Sequence, residues 1–400
     1  MVKKTKTKKM KKVILSILSI SVLIFTSCSL DNDDENSGGN NGGTVTPQNL
    51  AGNLTEDLTL DASVAHNLTG ALLVKDGATL TIEAGARINA LAGGTDVYIL
   101  VEKGGKIIAD GTADKPILFT SNSSLPKAGD WGGIIMNGKA PLSRQAAASS
   151  NAATEVKNSI FFGGDDATDN SGVLNYVKIE YTGARIDDEA EHNGLTLNGV
   201  GSGTTISNIA ILNGDDDAIE FFGGSVSASN ILVVNAKDDM FDFTQGYTGT
   251  CTNLYGVREA NFTAVTSDPR GIEADGNLDG NTPTDIDQSV FTVNGLTIIN
   301  NGDTVDMADA IKVRRGATAT ITNAYIALGS GATYSDFVDL KDGKTDANDN
   351  TSIIAVGNSS NGLDVTDNKN TTSGGATITT SVGTSGGADN SVFTWTGYSF

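Results

Sequence analysis

The chain repeats itself at a fixed offset of 22 residues, and no other feature narrows the choice of fold so far. Thr205-Ile206-Ser207-Asn208-Ile209-Ala210-Ile211-Leu212-Asn213 aligns with Ser227-Ala228-Ser229-Asn230-Ile231-Leu232-Val233-Val234-Asn235. The alignment continues through Asp216-Asp217-Ala218-Ile219-Glu220-Phe221 and Asp238-Asp239-Met240-Phe241-Asp242-Phe243, and Gly224 to Gly246 keeps the offset. Related units with longer turns recur at Gly194-Leu195-Thr196-Leu197, Gly271-Ile272-Glu273-Ala274, Asp309-Ala310-Ile311-Lys312-Val313 and Phe337-Val338-Asp339-Leu340. Near the start, Leu73-Val74-Lys75-Asp76-Gly77 matches Leu100-Val101-Glu102-Lys103-Gly104 at an offset of 27. One such unit cannot bury its own apolar face, but units stacked about 4.8 Å apart build continuous parallel sheets around a linear core. The expectation is an all-β, single-stranded parallel β-helix of about 13 coils, roughly 22–28 residues each. A leucine-rich repeat needs a helix-compatible stretch and a leucine spacing absent here, and a β-sandwich does not produce aligned repeats.

Period-2 alternation points Ile219 and Phe221 inward and Glu220 outward. Asn208, Asn230, Asn213 and Asn235 fall where the chain must turn tightly. Asparagine accepts left-handed backbone geometry there and can stack into a hydrogen-bonded ladder. Two regions depart from the coil pattern. Ala140 to about Asp169 reads as a long excursion, and Thr366 to Asn390, rich in Gly, Ser and Thr, as an irregular last coil. Phe393, Trp395, Tyr398 and Phe400 are expected to form a C-terminal cap over the open end of the core, with an exposed sugar platform as the alternative.

The first residues read as a targeting signal. Seven lysines between Lys3 and Lys12 precede an apolar run from Val13 to Phe25, too short for a bilayer that needs about 20 residues. Met10 offers a second start. Thr26-Ser27-Cys28 resembles a bacterial lipobox, which implies cleavage after residue 27 and lipidation of Cys28. The acidic, Asn/Gly-rich stretch 28–48 reads as a solvated tether, and 49–400 as the β-helix. With Cys28 lipidated, Cys251 is the one thiol left, so no disulfide can form within the chain. Formal charge is −21, and losing the lysine-rich signal makes it about −28. Such a surface repels nucleic acid and attracts divalent cations.

Several motifs together carry a family resemblance. They are Thr79-Leu80-Thr81-Ile82-Glu83-Ala84-Gly85-Ala86-Arg87-Ile88, Gly104-Gly105-Lys106-Ile107-Ile108-Ala109-Asp110-Gly111-Thr112, Lys115-Pro116-Ile117-Leu118-Phe119-Thr120-Ser121 and Asp130-Trp131-Gly132-Gly133-Ile134-Ile135. With Glu220-Phe221-Phe222-Gly223-Gly224 and the run from Asp242 to Gly249, they cover most of the chain from about residue 50. The chain resembles the pectin-lyase-like right-handed β-helix lipoproteins of Bacteroidetes. Ser29-Leu30-Asp31-Asn32-Asp33-Asp34-Glu35 is similar to their acidic surface-export tag. The resemblance implies a right-handed helix, and an outer-membrane lipid anchor exposed at the cell surface. It implies no agreed activity.

Aligning the repeats produces two columns. Thr196, Glu220, Asp242, Glu273, Lys312 and Asp339 share one outward strand position. Asp217, Asp239, Asp309 and Asp336 share the turn before it, widened by Asp215, Asp216 and Asp238. Carboxylates stacked this closely repel unless a cation is shared or a proton retained. In one reading Asp216, Asp217, Glu220, Asp238, Asp239 and Asp242 bind Ca²⁺, which takes several hard oxygen ligands. In a second, paired carboxylates act as a glycosidase. Gly214-Asp215-Asp216-Asp217 resembles the Gly-Asp-Asp of polygalacturonases, although neither a Gly-His-Gly nor an Asn-Thr-Asp motif accompanies it. In a third, a polysaccharide lyase combines Ca²⁺ with Lys312, Arg314 or Arg315 as base; these also suit ion pairing with Glu273 and Asp339. A solvated acidic face is the plain alternative. The loops holding Arg258-Glu259 and Asp268-Pro269-Arg270 could wall a groove. His66 and His192 lie far apart and read as structural or solvent-facing, and Cys251 as buried. The reading favoured is a monomeric, non-catalytic surface protein that binds glycan, a partner protein or divalent cations. The alternative is a carbohydrate-active enzyme, lyase or glycoside hydrolase, with catalytic candidates Glu220, Asp242, Glu273, Lys312 and Arg314.

Overall fold

The computed structural model describes residues 49–186, 190–262, 266–302 and 306–400, all within the unit Thr44–Phe400. The signal segment, Cys28 and the tether lie outside the described residues. Among those described, no helix is long and apolar enough to cross a membrane.

The repeat offset is the strand register. Ile206 pairs with Ala228 and Ile219 with Phe241, while the earlier offset of 27 appears as Leu73 opposite Leu100. Every strand pairing within the solenoid is parallel, as the repeat pattern implied, and the coils wind as the right-handed parallel β-helix that the resemblance implied. Three ladders run along it. The first stacks Trp131–Asn137, Leu195–Asn198, Ile219–Phe222, Phe241–Thr244, Arg270–Ala274, Met307–Lys312 and Tyr334–Asp339. Counting the strands before and after these, it holds eleven rungs among the described residues, against about thirteen expected. The excursion between Asn137 and the strand Gly172–Glu180 accounts for chain that would otherwise form coils.

The other two ladders share their strands. Thr205–Leu212, Ala228–Val234 and Thr250–Arg258 each bend once, at Asn208, Asn230 and Asn253, whose φ values are 52°, 56° and 63°. A non-glycine residue there is costly unless its side chain is compensated. Here each asparagine amide donates to the one below: Asn253 to Asn230 at 3.0 Å, Asn230 to Asn208 at 2.9 Å, and Asn208 to Asn175 at 2.8 Å. A second column links Asn235 to Asn213 at 3.1 Å.

The interior is largely apolar. Phe221, Phe243 and Phe291 stack with centroids 5.1 and 4.5 Å apart, and Tyr247 packs beside them. Cys251 lies buried in this wall, its thiol pushed up to about 12 by burial. Both histidines are buried too. His66 meets the Asp61 carbonyl, and His192, held down to about 4 by burial, meets that of Thr95.

Two sequence expectations need correction. The C-terminal aromatics do not close the end of the core. Phe393 is fully buried against Ala210, Leu232, Val234, Tyr255 and Val257, on the outer flank of the third ladder. Trp395 meets Tyr176 edge-on at 5.5 Å, and Lys178 Nζ donates to the Thr396 carbonyl. The reason lies in the strands beneath: Ile209-Ala210-Ile211-Leu212 and Ile231-Leu232-Val233-Val234 are apolar on both faces, so the outer face also requires cover. The last coil, expected to be irregular, includes a regular rung in which Thr377–Val382 pairs with Ser352–Gly357 at every residue.

Candidate metal centre

Strand pairing in the first ladder sets Thr196, Glu220, Asp242 and Glu273 side by side on its outer face. Asp217 and Asp239 occupy the turns just before two of these strands and tie successive coils together. Asp217 Oδ1 accepts the Asp239 N–H at 2.8 Å, and Asp239 Oδ1 accepts the Arg270 N–H. An aspartate at this turn therefore has a structural task as well as a charge.

In front of these residues lies a cleft of about 510 Å³. All six predicted metal ligands line it: Asp216, Asp217, Glu220, Asp238, Asp239 and Asp242. Glu273 joins them from the next rung. Pattern reading missed Glu155, Glu191 and Asp279; with Asp268, whose loop was expected to wall a groove, they complete eleven carboxylates. Glu155 follows the first strand of the hairpin Ala152–Thr154/Lys157–Phe162, formed by the excursion, and Asp268 comes from the loop before Arg270–Ala274. Such residues hold no repeat position, so alignment of coils could not find them. Arg185 is the one basic side chain in the lining, and no aromatic ring contributes to it among the described residues.

The electrostatics follow from crowding in a partly closed space. Asp216 is pushed up to about 8, by burial first and by Asp238 second. Burial and Asp239 hold Asp217 well above the usual carboxylate range, and burial and Asp242 do the same to Glu220. Asp239 and Asp242 are also raised by burial, with Glu273 the largest neighbouring charge on each. Burial and like charges within a few ångströms both disfavour the ionised form, so this cluster holds its protons to higher pH than isolated carboxylates do. Asp242 Oδ1 is sealed from solvent with no hydrogen-bond partner.

Basic residues neutralise part of the array, Arg185 pairing with Glu191 at one end and a larger group crowding the other. Arg270 lies 3.2 Å from Glu273, 3.1 Å from Asp309, 3.0 Å from Asp268 and 3.9 Å from Asp239. Arg314 pairs with Glu273 and, at 2.8 Å, with Asp275, which Arg315 also reaches. Lys312 pairs with Asp339, and Lys369 with Asp336. Of the five catalytic candidates, Glu220, Asp242 and Glu273 line the cleft, whereas the basic pair Lys312 and Arg314 sit in ion pairs and do not line it. Asp216, Asp217, Glu220, Asp238 and Asp242 form no ion pair among the described residues. Asp238 accepts a hydrogen bond from Thr266 at 2.7 Å, and Glu220 one from Asn193.

The donor set is all hard oxygen, with separations that suit an ion of calcium's size. Four carboxylate triads each bring one oxygen per residue within 4.8 Å of the others: Asp216/Asp217/Asp238, Asp217/Glu220/Asp242, Asp239/Asp242/Glu273 and Asp309/Asp336/Asp339. Ca²⁺ bonds of 2.3–2.6 Å span opposed oxygens about 5 Å apart.

No curated protein and no solved structure matches the chain. The family model described as a pectate-lyase like beta helix domain matches residues 52–398, which takes in nearly all of the described coils. The chain therefore belongs to the pectate-lyase-like β-helix family.

Proposed function

We propose that this protein is a non-catalytic lipoprotein of the outer-membrane surface, whose β-helix binds divalent cations, Ca²⁺ in particular, in the acidic cleft. The observation that carries the reading is the set of five clustered carboxylates, Asp216, Asp217, Glu220, Asp238 and Asp242, that line the cleft without an ion pair among the described residues, one of them with a sealed and partnerless oxygen. A hard divalent ion supplies the charge and coordination this set lacks. Acyl modification of Cys28 anchors the protein, and stretch 28–48 spaces the fold from the membrane. Bound ions with open coordination positions then accept an acidic group from a polysaccharide or a surface protein.

The reading is tested by calorimetric titration of Ca²⁺ into chelator-stripped protein. Micromolar binding that disappears in Asp217→Asn/Asp239→Asn supports it. Absence of heat at millimolar Ca²⁺, from protein that melts cooperatively, rejects it. The anchor is tested separately: Cys28→Ala should move the protein from the membrane fraction to the soluble fraction.

A further inference from the structure

The four carboxylate triads are not equivalent, and the difference between them predicts how many ions the cleft takes. In Asp309/Asp336/Asp339, Arg270, Lys312 and Lys369 already contact the carboxylates. In Asp239/Asp242/Glu273, Arg270 and Arg314 do so. Side-chain cations of the chain thus already pair with carboxylates of both groups. The two remaining triads, Asp216/Asp217/Asp238 and Asp217/Glu220/Asp242, have no such partner among the described residues, and they share Asp217. Their shared member has one oxygen fixed by the Asp239 amide, which holds the carboxylate in place between them. The second triad also contains the buried, partnerless Asp242 Oδ1.

We propose that the cleft holds two divalent cations, bridged by the Asp217 carboxylate, and that the arginine- and lysine-filled triads beside them take none. The inference rests on the cation-binding reading above and adds number and arrangement to it. The five residues of the two triads carry five negative charges when ionised, and two divalent ions leave one of those five unmatched. One ion leaves three charges within a few ångströms, which favours either a second ion or retained protons. Adjacent rungs stand about 4.8 Å apart, the order of spacing at which one carboxylate can bridge two ions. Each site also has room for further ligands, because Ca²⁺ takes six to eight oxygens and each triad supplies three residues. The pair is therefore expected to bind an anionic partner bidentately, one donor to each ion.

The test counts ions. The mature full-length chain, stripped with chelator and dialysed against Ca²⁺ alone, is analysed by native mass spectrometry and equilibrium dialysis. Two ions per chain are expected. Glu220→Gln should retain one, Asp238→Asn should retain one, and Asp217→Asn should weaken both at least tenfold. Asp309→Asn, in the lysine-filled triad, should leave the count at two. Circular dichroism confirms that each variant is folded, and Asp217→Glu, which keeps the charge, should recover part of the binding. A count of one in the unaltered protein, or of three or more, overturns the two-ion arrangement while the cation-binding reading stands. Independent loss of single ions in Asp217→Asn overturns the bridge. A count of zero overturns both.

Discussion

Asp216 shows how far this fold bends the chemistry of a common side chain. Its carboxyl is pushed up to about 8, whereas in the unfolded chain it titrates near 4. Between those values the folded protein binds more protons than the unfolded one, so stability falls as pH rises through the window. Asp217, Glu220, Asp239 and Asp242 are shifted in the same direction and steepen the slope. The metal-free protein should therefore melt highest near pH 4–5 and several degrees lower at pH 8. Saturating Ca²⁺ should flatten that dependence and release protons on binding. The release is measurable as a binding enthalpy that changes with the ionisation heat of the buffer. Basic residues give the opposite lesson. Lys312 is buried against Asp339, and removing one partner of a buried pair typically costs about 3–5 kcal/mol. Lys312→Met should fall at the low end of that range, because Lys369 also reaches Asp339 at 3.7 Å, and Ca²⁺ should partly restore the loss. Urea titration with and without the ion checks both statements.

Among the strands and turns, the asparagine columns decide where one ladder ends and the next begins. Asn230 combines a left-handed backbone with amide hydrogen bonds to the coils on either side. Asn230→Ala should cost about 2 kcal/mol, from left-handed strain together with the lost ladder bonds. Asn230→Gly should cost less, because glycine removes the strain and forfeits only the bonds. Chemical denaturation of the two variants separates these contributions. This motif was readable in advance because Asn208 and Asn230 recur at the repeat offset, and one residue type with two talents suits a stacked turn. The acidic column was readable for the same reason: period and alternation alone place Glu220, Asp242 and Glu273 on one outer face. Loop geometry was not. Nothing in the local sequence of Glu155 indicates that the excursion folds into a hairpin beside the cleft, since that depends on Phe162 packing against Phe222 more than fifty residues away. The position of the C-terminal aromatics follows from the flank of the solenoid and not from its end. The continuous apolar runs at 209–212 and 231–234 already marked a flank needing cover.

Across the whole described unit, the C-terminal segment couples coils that are distant in sequence. Repeat proteins owe their stability to nearest-neighbour contacts, and their ends can unfold separately. Here Asn253 and Asn323 hold the backbone at Asp389 and Gly387, and Phe393 seals the flank farther back. Deleting residues 384–400 should expose that apolar flank, lower the melting temperature and broaden the transition. Calorimetry of the truncated chain would reveal the loss of cooperativity. The acidic cleft stands apart from this strap, on the first ladder, where it is built from several successive coils and the loops between them. A site distributed in this way links ion binding to the stability of the stack, because any ion bound only by the folded coils stabilises them by mass action. The most direct measurement is therefore a thermal melt of chelator-stripped protein at pH 7.5, repeated across a Ca²⁺ titration. The cation-binding account predicts a melting temperature that climbs by several degrees with Ca²⁺, and a much smaller rise in Asp217→Asn. A melting temperature that stays the same from chelator to millimolar Ca²⁺ would contradict it, and would leave the carboxylates as protonated neighbours within the fold.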